Sequence, residues 1–446
     1  MTRVLVVDDS AFVRTVVGDA LLEAGYVVET APDGATAIDA VERFRPDVIT
    51  MDVEMPGIDG TETVERIMTS RPTPIVVLSV HTDAGGEATM DALAHGAMDV
   101  LRKPDGSDDR TLEECTGEIL ETVERLSNAD CSSLALARVT ASATRTTRAG
   151  TRGTNGNSPS ASANGSRQTT DVDRRRAVAA TASTEPPATT EPPKRADTVH
   201  ERVESTAAGT GVGMETDALR DADVVRNADA VRDTDVDLST CPAPTVVIGA
   251  STGGPRIVER ILSELPLELG ARVIVVQHMP GGFTARFATR LDRTSPYAVT
   301  EAESESRVRP GEAVVAPGDR HLRCSTARGE TVTVSPVRGE RIHGVRPSID
   351  VTMTSAATAI GEQPLVGIVL SGMGRDGSRG IEAIHEAGGT TFAQNERTSP
   401  VFGMARAAIE TGAVDAVVSP AAIPGRVIET VAPASAAIPG GGQHNG

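Results

Sequence analysis

Short runs of apolar, mostly β-branched residues alternate with amphipathic stretches over residues 1–126, and the alternation resumes from residue 243. In the first region Val4–Val7, Val48–Met51, Ile75–Leu78 and Val100–Leu101 are too short for buried helices and predict strands. Between them Ala11–Ala24, Thr61–Met68, Glu87–His95 and Leu112–Leu126 carry apolar residues at helical spacing. Near-continuous apolar strands separated by helices describe a parallel sheet covered on both faces. From residue 243 strands are predicted over Thr245–Ile248, Ala271–Gln277 and Leu365–Leu370, with helices from Pro255, over Phe283–Leu291 and over Gly380–Ala387. The expected fold class is α/β: an N-terminal (βα)5 domain over 1–126 and a C-terminal doubly wound, mostly parallel domain over 243–433.

Residues 127–242 break the pattern with Thr, Ala, Ser, Arg, Asp, Gly and Pro, and no Phe, Tyr or Trp occurs between Phe44 and Phe283. Such a segment buries too little apolar surface to offset its ordering entropy, so a disordered linker is expected, as is a disordered tail over 434–446. As a flexible coil the linker spans roughly 60 Å and cannot fix the relative pose of its flanking domains.

The formal charge of −19 disfavours nucleic-acid binding, which needs a basic face. Lysine occurs only at Lys103 and Lys194, and high acidity with so little lysine is the composition of a protein from a very salty environment. There, at about 1 M salt, a Debye length of about 3 Å screens the self-repulsion. The four cysteines show no C-x-x-C spacing and no apolar run approaches 18 residues, so a soluble cytoplasmic chain without membrane insertion is expected.

Chemistry in doubly wound sheets gathers at the carboxyl ends of the strands. In the first domain those ends carry Asp8 and Asp9, Asp52, Ser79 and Lys103. Three carboxylates on one edge repel each other unless a hard divalent cation lies among them, and Mg²⁺ suits one or two carboxylates plus a phosphate. Lys103 adds a compact ammonium for a phosphoryl oxygen. Singly, each feature has an ordinary reading: Asp8-Asp9 as a helix N-cap, Lys103-Pro104 as a solvated loop.

The second domain is organised around Thr245–Gly254, an apolar strand running into a glycine-rich turn and a helix. Gly249 to Gly253 fits the G-x-S-x-G nucleophile elbow, with Ser251 as nucleophile and the Thr252 N–H as oxyanion donor. The plainer alternative is a turn that packs or binds phosphate. His278 and Asp376 lie at two other predicted strand ends, where a base and an orienting carboxylate would share the crevice. The order Ser, His, Asp differs from that of α/β-hydrolases, so the elbow reads as convergence. His321, His343 and His385 compete with His278, which could cap a helix, and Asp376 could be a turn residue.

The joint pattern of Asp8-Asp9, Asp52 within Met51–Gly60, Ser79 and Lys103-Pro104 resembles a response-regulator receiver domain. The resemblance implies Asp52 as phosphoryl acceptor, Asp9, Asp52 and the Glu54 carbonyl as Mg²⁺ ligands with Asp8 nearby, and Ser79 and Lys103 as phosphoryl contacts. Val100 replaces the aromatic residue that receivers usually carry three positions before this lysine. Residues 243–433 resemble the catalytic domain of the chemotaxis receptor protein-glutamate methylesterases, through Gly249–Gly254, Gln277–Pro280, Ala316–Gly318 with His321, Arg346–Val351 and Gly372–Gly377. That family hydrolyses glutamate 5-methyl esters on methyl-accepting chemotaxis receptors, often deamidates receptor glutamines, and answers to a histidine kinase. The resemblance implies Ser251 as nucleophile, His278 as base and acid, Asp376 as orienter, and the Met373 N–H as a further oxyanion donor. No cofactor is implied for the ester chemistry. Asn395 and Ala405 stand where the family often has Asp and Pro. Two other outputs stay open: a phosphorylation-gated binding protein with an inactive esterase-like domain, which a serine-reactive phosphonate would reveal, and a DNA-binding output, which the charge opposes.

Overall fold

The structure, a computed structural model, describes residues 1–79, 83–103, 112–127, 238 and 241–431. The expected linker falls almost wholly outside the described residues, and Pro104 and the tail lie outside them.

The first domain runs β1 (Arg3–Val7), α1 (Ala11–Glu23), β2 (Val27–Ala31), α2 (Gly34–Phe44), β3 (Val48–Asp52), α3 (Gly60–Ser70), β4 (Ile75–Ser79), α4 (Asp83–His95), β5 (Asp99–Arg102) and α5 (Leu112–Leu126). All five strands are parallel, in the order β2-β1-β3-β4-β5. Every residue of β3 and β4 is buried, which explains why Val48–Met51 and Ile75–Leu78 are apolar apart from Thr50. Burying each Val, Ile or Leu there contributes about 1.5–3 kcal/mol. The hydrophobic pattern omits β2 and α2. β2 is an edge strand with only Ala31 buried, so its Val-Val-Glu-Thr-Ala sequence has no reason to be apolar.

The second domain starts with β6 (Thr245–Ala250), α6 (Gly254–Glu264), β7 (Arg272–Gln277), α7 (Phe283–Thr294), β8 (Ala298–Glu301), β9 (Ser306–Val308) and β10 (Glu312–Val315). Next come the hairpin β11 (His321–Arg328) and β12 (Thr331–Val337), then α8 (Ile349–Ile360), β13 (Leu365–Val369), α9 (Ser378–Glu386), β14 (Thr390–Gln394), α10 (Met404–Glu410), β15 (Ala416–Val418) and α11 (Ile423–Val431). Seven parallel strands are ordered β15-β14-β13-β6-β7-β10-β8, while β11, β12 and β9 form a separate antiparallel sheet. The chain leaves β6 toward β7 on one side and later returns through β13 on the other. The strand order therefore reverses beside β6, and such a switch point opens a crevice at the carboxyl strand ends.

Candidate active site

Ser251 follows β6 and His278 follows β7. Ala250 pairs with Gln277, and the His278 N–H donates to the Ala250 carbonyl at 2.9 Å, so the two residues leave neighbouring strands together. On the other flank, the Ser251 N–H donates to the Ser371 carbonyl at 3.0 Å, just beyond β13. The Gln277 side-chain amide donates to the Ser251 carbonyl at 2.8 Å, fixing the turn from below. Asp376 lies in the turn before α9, and His278 Nε2 is 2.9 Å from its Oδ2. The fold thus joins His278 to Asp376 and places Ser251 at the adjoining strand end, while the Ser251 hydroxyl makes no hydrogen bond to the imidazole among the described residues.

The turn tolerates little alteration. Gly253 has φ +76°, which favours glycine. A Cβ on Gly249 would lie 2.5 Å from Ile349 Cγ2, so that glycine lets the start of α8 approach β6.

Asp376 is 1% exposed and fully committed. Oδ2 also accepts from the Ile349 N–H at 2.7 Å, and Oδ1 accepts from the Ser348 hydroxyl at 2.8 Å and the Asp350 N–H at 3.1 Å. Burial by itself would raise its pKa, but contact with His278 and the donors at the start of α8 hold the carboxyl below its usual range. Neighbouring Asp350 moves the other way, raised by burial and by the Asp376 charge. Its carboxylate accepts the Gly377 and Gly380 N–H groups, each at 2.9 Å, and faces His343 Nε2 at 3.0 Å.

Among the described residues neither the Thr252 nor the Met373 N–H donates a hydrogen bond. The backbone leading to Met373 passes against Ser251: a Cβ on Gly372 would lie 2.6 Å from Ser251 Cβ. Two available donors therefore flank Ser251. A cavity of about 690 Å³ between α8 and the β11–β12 hairpin reaches Asp350 and His321 but is not lined by Ser251, His278 or Asp376. His321 is tied to Glu340 and Ser348, His343 to Asp350, and His385 faces Asp415 at the surface. None of these competitors hydrogen-bonds to Asp376, although a His343 ring nitrogen lies within 4.8 Å of its carboxylate. Asn395 accepts from the Thr398 N–H at 3.1 Å and caps a short turn, and Ala405 is buried in α10.

In the first domain Asp8, Asp9 and Asp52 each bring a carboxylate oxygen within 4.8 Å of the others. Lys103 Nζ lies 2.8 Å from Asp52 Oδ2 and 3.1 Å from Asp8 Oδ2, the latter without hydrogen-bond alignment. Burial and the Asp52 charge push the Asp8 carboxyl up to about 6, against the pull of Lys103. Burial likewise raises Asp52, with Lys103 opposing. Three acids facing one ammonium, with one buried oxygen left unaligned, is a donor set that fits a divalent cation. The Glu54 N–H donates to Asp52 Oδ1 at 3.2 Å. Ser79 Oγ accepts from the Thr89 hydroxyl at 2.9 Å, beneath α4. Val100 is buried in β5, so no aromatic side chain lies at that position.

The two domains meet at the turn that carries Ser251. The Gly253 N–H donates to the Met98 carbonyl at 2.7 Å, and the Thr252 hydroxyl donates to Asp99 Oδ2 at 2.7 Å. Arg102, next to Lys103, donates to the Gly281 carbonyl at 3.1 Å in the loop after His278. Arg290 meets Asp91 at 2.8 Å and Arg293 meets Glu87 at 3.0 Å, joining α7 to α4. The Arg293–Glu87 pair is largely exposed and contributes about 0–1 kcal/mol, so it orients the contact more than it holds it, while Arg290 is half-buried.

The sequence pattern of the CheB methylesterase family matches residues 246–427, and that of the response regulator receiver domain matches residues 4–114. A protein-glutamate methylesterase/protein-glutamine glutaminase of Halobacterium salinarum is 40% identical over 93% of this chain and 94% of its own length. This chain belongs to that family. The methylesterase is thus an enzyme with a receiver domain ahead of a catalytic α/β domain. A second methylesterase/glutaminase, from Haloarcula marismortui, is 38% identical over 96% of this chain and 97% of its own. The crystal structure of the Thermotoga maritima CheB methylesterase catalytic domain, 41% identical, matches with a TM-score of 0.41, covering 42% of this chain and 99% of that one. None of the described helices of the methylesterase is long and apolar enough to cross a membrane.

Sequence reasoning did not single out Ser348, Gln277, Asp99 or Arg102 by role. Ser348 and Gln277 sit inside segments that carry the family resemblance, which was the available signal. Asp99 and Arg102 carry none, because their partners belong to another domain.

Proposed function

We propose that this methylesterase hydrolyses glutamate 5-methyl esters on methyl-accepting chemotaxis receptors, releasing methanol, and deamidates receptor glutamines, with Ser251 as nucleophile, His278 as base and Asp376 as orienter. The observation that carries this reading is the His278–Asp376 contact of 2.9 Å beside the Ser251 turn, at the point where the strand order reverses. With Nε2–H committed to Asp376, Nδ1 is the nitrogen left to take the Ser251 proton; catalytic hydrogen bonds of this kind often close only when substrate is bound. Attack on the ester carbonyl gives a glutamyl-serine ester and expels methanol as His278 returns the proton. Water then resolves the acyl-enzyme through the same imidazole. The Thr252 and Met373 N–H groups face the oxyanion, where removal of one such donor typically costs about 10²–10³ in rate.

Asp52 accepts a phosphoryl group from a chemotaxis histidine kinase in the cytoplasm; Asp9, Asp52 and the Glu54 carbonyl would hold Mg²⁺, with Asp8 nearby. The cation supplies charge neutralisation for the incoming phosphoryl oxygens. Lys103 and Ser79 are the residues that would turn toward that group. Because Arg102 and Asp99 share β5 with the approach to Lys103 and contact the nucleophile turn and the loop after His278, movement there would uncover the crevice. Ser251→Ala should abolish methanol release from methylated receptor membranes; full activity in that variant would remove the nucleophile assignment.

A further inference from the structure

We propose that Ser348 is a positioning residue of the esterase site, held in place by His321, and that this pair fixes the orientation and charge of Asp376. The proposal rests on the triad reading above and adds a layer behind it.

Ser348 occupies the N-cap position of α8, where a serine ordinarily turns its hydroxyl onto its own helix. Here it makes no such cap, and its Oγ donates instead to Asp376 Oδ1 at 2.8 Å. The next two backbone N–H groups, Ile349 and Asp350, donate to the same carboxylate. The whole start of α8 is thus spent on one carboxylate, whose fourth partner is His278.

His321 explains why Ser348 stays turned. Its Nε2 lies 2.7 Å from the Glu340 carbonyl, which can only accept, so Nε2 carries the proton. Its Nδ1 accepts from the Ser348 N–H at 3.1 Å. Both partners select one neutral tautomer, and the ring is 3% exposed. His321 reaches Ser348 from β11, so the hairpin is tied to the residue that holds Asp376 through that residue's own backbone N–H. Neither residue touches the reacting atoms.

Removing the Ser348 hydroxyl leaves Asp376 with one donor fewer and more of its charge for the imidazole. His278 should then hold its proton to higher pH. The other groups facing this pair are Asp350 from α8, backed by His343, and Asp99 from β5, which is electrostatically coupled to His278. All are retained in the variants below.

The test uses the full chain. Ser348→Ala should lower kcat for methanol release about tenfold with KM unchanged, and move the acid limb of the pH–kcat profile up by about half a unit. Ser348→Thr, which keeps the hydroxyl, should restore both. His321→Leu should move the limb in the same direction in the parent but not in Ser348→Ala, because both act through one contact. NMR titration of the His278 imidazole in a Ser251→Ala background should report the same upward shift without turnover. A Ser348→Ala enzyme with unchanged kcat and limb, or one that loses activity with the limb unmoved and no rescue by threonine, overturns the proposal. If methanol release survives Ser251→Ala, the triad reading falls instead, while the imidazole titration still decides the role of Ser348.

Discussion

The Thr252 hydroxyl of the catalytic domain donates to Asp99 Oδ2 of the receiver domain at 2.7 Å, one residue beyond the candidate nucleophile. Beside it the Gly253 N–H is held by the Met98 carbonyl. The receiver therefore binds the turn to which the proposed mechanism assigns both a hydroxyl and an oxyanion donor. Each such hydrogen bond is worth about 0.5–1.5 kcal/mol net, enough together to hold a closed arrangement that a modest competing interaction can open.

Asp99→Ala should therefore raise methanol release in the absence of phosphodonor. Loss of one contact of this kind corresponds to about three- to tenfold. Assays on methylated receptor membranes would read it, and a basal rate equal to that of the parent would show that the contact does not restrain the site.

Asp52→Asn should leave basal turnover intact yet block stimulation by a small phosphodonor such as acetyl phosphate. Lys103 keeps Asp8 as a partner in this variant, so the receiver fold is preserved. Stimulation equal to that of the parent would exclude Asp52 as the acceptor.

Gly249→Ala should impair catalysis and stability together. Its Cβ would meet Ile349 Cγ2 at 2.5 Å, and the backbone N–H of Ile349 donates to Asp376 at 2.7 Å. Relief of the clash displaces α8 from the carboxylate, so kcat should fall about tenfold or more. Overpacking of this kind costs about 1–3 kcal/mol. Thermal melts and initial rates on the same preparation would check both.

Asp8→Asn should stabilise the receiver domain near neutral pH. The folded-state pKa is raised from 3.8 to about 6, so folding favours the protonated acid. That contribution is fully present below about pH 4 and is lost as pH rises through about 6. An amide removes the cost of ionising a buried carboxyl, up to about 3 kcal/mol. The melting temperature should rise by a few degrees at pH 7.5 and stay unchanged at pH 4, without added divalent cation; equal shifts at both values would refute the assignment.

Most of the core was legible in the chain because strands buried on both faces must be apolar throughout, as Val48–Asp52 nearly is and Ile75–Leu78 is. The edge strand Val27–Ala31 escaped notice for the converse reason: one open side removes the demand for apolar residues. At the site, Ser251, His278 and Asp376 could be nominated because each follows or closely trails a buried parallel strand, and such ends share a rim. The contact between the last two is a spatial fact on which the sequence was silent, as it was on the hydroxyl of Ser251 remaining apart from the ring.

By itself, then, the order of residues determined the two α/β domains and which side chains to nominate for chemistry, since periodicity and turn composition are local properties. Only the tertiary structure decided that Ser348 serves Asp376 and not its own helix, and that Asp99 clasps Thr252. Those pairings join residues 28 and 153 positions apart in the chain. A hydrogen bond at such separation leaves no periodic trace, because only the packing of whole elements brings its donor and acceptor together.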